Sequence, residues 1–193
     1  EDTPPLLTAG SVVEKRYRVK RRVGSGSLGE VYEAESLATG GKIALKVLKP
    51  EFNRRTGFVE RFVREARAAG KLASEHIIRV FDNGSAVEGG LTHHYLVMDF
   101  IEGNDLEAEM RVFGGKLPAE HAVEVTRQIL EALIVAHPAG VIHRDIKPQN
   151  LIISRRRNHT LRVVVVDFGI ARVETEGRMT GTREIIGTPL YMA

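Results

Sequence analysis

The chain has no cysteine. This excludes disulfides, thiolate metal sites and a cysteine nucleophile, and it fits a reducing compartment. It has no run of about 18 apolar residues, so no membrane span lies within it. It has little excess of either charge. The 28 Lys and Arg against 25 Asp and Glu leave a formal net charge of +3, which gives no reason to expect nucleic-acid binding. The short basic runs Lys20-Arg21-Arg22 and Arg155-Arg156-Arg157 read as solvated strand ends or loops. There is no internal repeat and no long low-complexity tract. No initiator Met or signal-peptide pattern opens the chain. What is present, 42% hydrophobic and 27% charged in 193 residues, suits a soluble globular protein with a sizeable core.

Periodicity divides the chain in two. Residues 1–10, with Pro4-Pro5, read as a linker or lead-in. Strand-like runs follow at Tyr17 to Val23, Glu30 to Ala34 and Ile43 to Leu48, then a helix from Phe58 to Leu72. Two more strands are expected at Ile78 to Asn83 and Tyr95 to Asp99. Helical patterns then cover Asp105 to Phe113 and Pro118 to His137, where Ala122, Val125, Ile129, Leu133 and Ala136 form the expected buried stripe. Two short strands, Leu151 to Ser154 and Leu161 to Val166, complete the pattern.

Three sequence features carry chemistry. Gly24-Ser25-Gly26-Ser27-Leu28-Gly29 fits G-x-G-x-x-G but lies between two strands, so it reads as the tip of a hairpin rather than a strand-to-helix turn. Because its glycines have no side chains to block a close approach, its backbone N–H groups can face phosphate oxygens. Seventeen residues beyond Gly29, Lys46 interrupts an apolar run, on the same strand face as Ala44. Finally, His143-Arg144-Asp145-Ile146-Lys147-Pro148-Gln149-Asn150 groups an acid, a base and an amide, and Asp167-Phe168-Gly169 adds a second acid. Phosphoryl transfer needs this equipment: a carboxylate for the acceptor hydroxyl, a cation for phosphate, and oxygen ligands for a metal.

In this order, these segments resemble the eukaryotic-type serine/threonine protein kinases, in a bacterial style suggested by Tyr95-Leu96-Val97-Met98 and Ile170-Ala171-Arg172. The resemblance runs from about Tyr17 onward. It implies an α+β, two-lobed fold: a five-stranded antiparallel N-lobe with one helix (11–98), a hinge (99–103) and a partial, mainly helical C-lobe (104–193). It implies ATP as phosphate donor, with Mg2+ or alternatively Mn2+. Lys46, oriented by Glu65, would hold the α- and β-phosphates. The alternative for Glu65 is a surface glutamate paired with a nearby arginine. Val23, Val31 and Ala44 would lie above the adenine and Ile152 below it, with Met98 as gatekeeper at the back of the pocket and main-chain contacts from Asp99 and Ile101. Asp105 would meet the ribose or cap the helix that starts there.

By the same resemblance, Asp145 would receive the proton of the acceptor hydroxyl and Lys147 would neutralise the transferred phosphoryl. Asn150 and Asp167 would ligate the metal, while His143 and Phe168 would pack. Lys147 and Gly187-Thr188 match the serine/threonine rather than the tyrosine pattern. Arg144 would meet a phosphate in the activation loop, with Thr180 and Thr182 as autophosphorylation sites and self-association as the route. Ala69 is smaller than the leucine-like residue of the pattern, and Ser74-Glu75 replaces its histidine-proline. The pattern continues beyond Ala193, so the chain is expected to be a piece of a longer protein, inactive by itself while its parent is the enzyme, with apolar surface around Leu130 and Leu133. Protein substrates bearing Ser or Thr and a cytoplasmic setting, free or as part of a membrane-anchored parent, complete the expectation. A kinase-like nucleotide-binding pseudokinase or scaffold acting through a partner is the alternative; the presence of Lys46, Glu65, Asp145, Asn150 and Asp167 favours the enzyme.

Overall fold

The computed structural model describes residues 4–168 apart from 157 and 159. The chain forms two compact units. One comprises the chain up to Val63 together with Val80–Phe100; the other comprises Arg64–Arg79 and the chain from Ile101.

The first unit is built on a six-stranded antiparallel sheet in the order β1-β2-β3-β4-β6-β5. These strands are β1 (Val12–Val13), β2 (Tyr17–Ser25), β3 (Gly29–Ser36), β4 (Lys42–Leu48), β5 (Val80–Glu88) and β6 (Leu91–Asp99). Five strands were expected. The sixth is β1, whose two residues are too few to show an alternation. It turns back onto β2 through Glu14 and Lys15, both at positive φ (46° and 57°), so that Val13 lies opposite Tyr17. Arg16 N–H donates to Val13 O at 2.9 Å, so Glu14 and Lys15 are the two central residues of a tight turn within this three-residue loop.

Alternation explains the sheet faces. Ile43, Leu45 and Val47 of β4 pack in one cluster with Leu7, Val19, Tyr32, Tyr95 and Val97. The intervening Ala44, Lys46 and Leu48 are buried on the opposite face, which is why β4 reads as an almost continuous apolar run. Leu7 lies in the segment read as a lead-in, yet it is 1% exposed and its N–H donates to the Tyr32 hydroxyl at 3.0 Å. At the β1 turn, Tyr17 donates to Asp82 at 2.6 Å, and burial together with that carboxylate pushes its pKa up to about 12.

The helix α1 (Phe58–Gly70) begins in the first unit, where Phe52 and Phe58 stack at 4.7 Å. In the second unit, its Ala69 joins a core with Ile77, Leu106, Val125, Ala132, Leu151 and Phe168. This unit carries a three-stranded antiparallel sheet, β7 (Asn104–Asp105), β8 (Leu151–Arg155) and β9 (Leu161–Val165), with α2 (Leu106–Val112) and α3 (Ala119–Ala136). The strand expected from Ile78 starts later, at Val80, because residues 76–78 add to β9 instead. Val165 N–H donates to His76 O at 2.8 Å and Ile78 N–H to Val165 O at 3.0 Å.

On α3 the buried positions are Val125, Gln128, Ala132 and Ala136. Ala122, Ile129 and Leu133 of the expected stripe are only half-buried. The stripe is displaced because Gln128 enters the core with its amide satisfied. Its Nε2 donates to Leu161 O at 3.0 Å and its Oε1 accepts from Val163 N–H at 2.7 Å, fastening α3 to β9. Leu130 is exposed, as are Val123 and Ile134.

Candidate functional site

In the first unit, β2 and β3 form the glycine-bearing hairpin. Gly26 N–H donates to Gly29 O at 2.8 Å across its tip, and Leu28 is buried beneath it. The three glycines are not equivalent. A Cβ on Gly29 would run into the Val47 carbonyl oxygen, so the β3–β4 contact itself demands glycine there. A Cβ on Gly24 would meet nothing within 4 Å, and one on Gly26 only the Gly29 oxygen at 3.9 Å. Chain packing therefore leaves those two glycines unexplained. Ser25 pairs with Glu30 at the end of the hairpin, and Ser27 lies in the tip.

Val31, Lys46 and Leu96 are register partners across β3, β4 and β6, and Ala44 and Met98 are partners one step along. Directly opposed residues share a face. Val31, Ala44, Lys46 and Met98 thus lie together on the face opposite the Leu45–Val97 cluster, which includes the shared face of Ala44 and Lys46 that strand alternation predicts. Lys46 is only 6% exposed. Val23 is exposed at a bulge of β2. Asp99 closes β6, opposite Ile43.

The second unit begins its later stretch at Ile101. Asp105 is paired with Ile152 across β7 and β8 and caps α2: its Oδ1 accepts from Ala108 N–H at 2.7 Å. The capping alternative is thus realised. Glu65 on α1 has the Arg64 guanidinium at 3.2 Å. Lys46 belongs to the first unit and Glu65 to the second.

Around Asp145 the second unit brings several groups together. Lys147 Nζ lies 2.6 Å from Asp145 Oδ2. Asn150 Nδ2 donates to Asp145 O at 2.8 Å and to Oδ2 at 3.1 Å. With both amide hydrogens so directed, Oδ1 is the acceptor atom that Asn150 presents. A single 3-10 turn, Pro148–Asn150, delivers Asn150 to this position, and Asn150 O then accepts from Val166 N–H at 3.0 Å.

His143 is 1% exposed and has a fixed tautomer. Its Nδ1 accepts from Asp145 N–H at 3.2 Å, so Nε2 carries the proton and donates to Val166 O at 2.8 Å. Burial lowers its pKa, against the opposing pull of the Val166 hydrogen bond. Its ring meets Phe168 edge-on at 4.7 Å. A buried neutral imidazole with both nitrogens engaged is a brace, the packing role expected for it. Arg144 and Asp167 both have positive φ, 67° and 66°. Such strained backbone concentrates where side chains must be aimed.

The protein kinase domain family matches residues 17–193. The chain belongs to that family. This kinase domain is 39% identical over 184 residues to a probable serine/threonine-protein kinase of Corynebacterium efficiens, covering 94% of this chain and 27% of that protein. It is 41% identical over 177 residues to serine/threonine-protein kinase PknH of Mycobacterium tuberculosis, covering 92% of this chain and 27% of that protein. Among solved structures, it is similar to the Mycobacterium tuberculosis PknI kinase domain, with a TM-score of 0.71 and 32% identity, covering 86% of this chain and 64% of that one. The chain thus spans about a quarter of the length of these two curated relatives. The kinase fold is the one expected from the sequence, with β1 and β7 added.

Two parts of the kinase site were not read from the sequence. One is the Val166 carbonyl, which holds His143; a backbone group leaves no residue signal. The other is the second task of Asn150, as a clamp on Asp145. Gly169, Thr180, Thr182 and Gly187-Thr188 lie outside the described residues. The protein kinase family uses ATP and a divalent metal. Among the described residues no three His, Cys, Asp or Glu side chains converge as a metal cluster, and no helix is long and apolar enough to cross a membrane.

Proposed function

We propose that this chain carries the ATP-binding and catalytic segments of a protein serine/threonine kinase. The observation that carries the reading is the convergence of Lys147 and Asn150 on Asp145, with Val166 tying the Asp167 segment to the same loop. Asp145, aimed by Asn150, accepts the proton of a serine or threonine hydroxyl. The hydroxyl oxygen bonds to the γ-phosphorus, the bond from that phosphorus to the β–γ bridging oxygen breaks, and ADP leaves. Lys147 balances charge on the phosphoryl in transit, which is where such catalysis gains most of its rate.

Asn150 Oδ1 and the Asp167 carboxylate fit a hard cation by their oxygen chemistry, and Mg2+ is our assignment, with Mn2+ as the alternative. Bound there, the ion neutralises phosphate charge. Gly24, Ser25, Gly26, Ser27, Leu28 and Gly29 face the phosphates, and the openness around Gly24 and Gly26 supports this. Lys46, paired with Glu65, holds the α- and β-phosphates. Val23, Val31, Ala44, Met98 and Ile152 enclose adenine, with Asp99 and Ile101 meeting its edge through their main chains. Asp105 reaches ribose through Oδ2, since Oδ1 caps α2. We assign residues 11–98 to the N-lobe, 99–103 to the hinge and the rest to the C-lobe. Thr180 and Thr182 are the phosphosites, reached by self-association. Protein substrates on the cytoplasmic side complete the reading.

Phosphate transfer from Mg–ATP to a generic protein substrate tests it, in a protein that carries this chain together with a complete C-lobe and with Asp145→Asn as control. Transfer to serine or threonine that vanishes in the control is expected. ATP binding without transfer by a protein that carries this chain together with a complete C-lobe would overturn the enzyme reading in favour of a pseudokinase.

A further inference from the structure

Among the described residues Glu30 is the one acidic side chain in the set of buried polar groups, 2% exposed, and it sits immediately after the last glycine of the hairpin. It shares a sheet face with Tyr32, so it points away from the side that carries Val31 and Lys46. Three elements converge on it. Arg22 of β2 donates to Oε1 at 2.8 Å. Leu6 N–H donates to Oε2 at 2.9 Å, and the Tyr32 hydroxyl also donates to Oε2. Tyr32 in turn accepts from Leu7 N–H at 3.0 Å, and Leu7 is locked in the core. Burial alone would raise the Glu30 pKa, but the hydrogen bonds from Tyr32, Leu6 and Arg22 hold it below the ordinary carboxylate value. The group is therefore a charged, fully engaged anchor.

The place where it anchors matters. β2 is bulged between Arg22 and Gly24, so Val23 is an extra residue with Arg22 opposite Tyr32 and Gly24 opposite Val31. A bulge bends and twists its strand, and so sets the direction of everything beyond it. Beyond this one lies the glycine tip. The Arg22–Glu30 pair straddles the bulge.

We infer that Glu30 is a positioning residue for nucleotide phosphates: it fixes the β2 bulge through Arg22 and ties the glycine hairpin to the Leu6-Leu7 segment. This rests on the proposed binding of ATP by that hairpin. Glu30 touches no substrate in this scheme. Its effect passes through the backbone of residues 24–29, and it should therefore be felt by phosphates and not by the base.

The test compares Kd for Mg–ATP with Kd for adenosine in the unaltered protein, in Glu30→Gln and in Tyr32→Phe, each below its unfolding midpoint. Tyr32→Phe keeps the ring and removes only the hydroxyl, so it serves if Glu30→Gln folds poorly. The expected result is an Mg–ATP Kd weakened by about tenfold with adenosine binding changed by less than about twofold. Equal weakening of both ligands would show a merely structural role and overturn the proposal, as would no change in either. An unaltered protein that fails to bind Mg–ATP would instead overturn the functional reading.

Discussion

Asn150 holds Asp145 at two points, donating from one amide nitrogen to its backbone oxygen at 2.8 Å and to its carboxylate at 3.1 Å. The same side chain is assigned to the metal through Oδ1. Replacing it by alanine removes both functions. Asn150→Ala should lower kcat by about 100-fold or more, a loss in the range found for removal of one preorganised polar group. Raising Mg2+ should recover only part of it. Steady-state phosphate transfer across an Mg2+ titration checks this.

Gly29 and Gly24 should respond to alanine in opposite ways. Gly29→Ala drives a methyl into the Val47 backbone, and should cost about 3 kcal/mol or more of stability. Gly24→Ala meets nothing, and should change stability by less than about 1 kcal/mol while weakening Mg–ATP binding. Urea unfolding and nucleotide titration separate the two effects.

His143 should make stability fall in mild acid. Its folded pKa lies below the unfolded value of 6.5, so between those two values the unfolded chain binds the extra proton. Stability contributed by the neutral ring is thus complete above about pH 6.5 and is lost as pH falls towards the folded pKa. Protonation would also abolish the acceptor that Nδ1 offers to Asp145 N–H. Denaturation midpoints measured from about pH 7.5 down to 5 should drop less steeply in His143→Asn than in the unaltered protein.

Gln128→Leu should destabilise the protein although it makes the core more apolar. The amide satisfies Leu161 O and Val163 N–H, and leucine leaves both buried groups without it. A loss of about 2–4 kcal/mol is expected from two such groups, measured by urea unfolding with nucleotide binding as a check on the fold.

The comparison of Gln128 with Asp145 shows what a sequence reveals. The motif around Asp145 was legible because short-range spacing places its members on one loop. Lys46 was legible because β4 is buried on both faces, making a single charge conspicuous. Gln128 was hidden because a polar residue on α3 looks solvated until its partners on β9, far along the chain, are known. β1 and β7 have two residues each, too few for any period. Residues 76–78 carry strand-like character, but pairing with β9 depends on a tertiary neighbour. Glu30 looks like any surface carboxylate until Leu6 and Leu7 fold over it.

The strand order β1-β2-β3-β4-β6-β5 also has a consequence during synthesis. β4 is buried at every residue but its first, yet its second neighbour, β6, emerges roughly fifty residues later, several seconds at ~5–20 residues per second. Throughout that interval the nascent chain presents β4 with one edge unpaired, an open template for another strand. Slowed translation between Leu48 and Asp99, or a shortage of chaperones that shield such edges, should therefore lower the yield of folded protein without altering a single native contact.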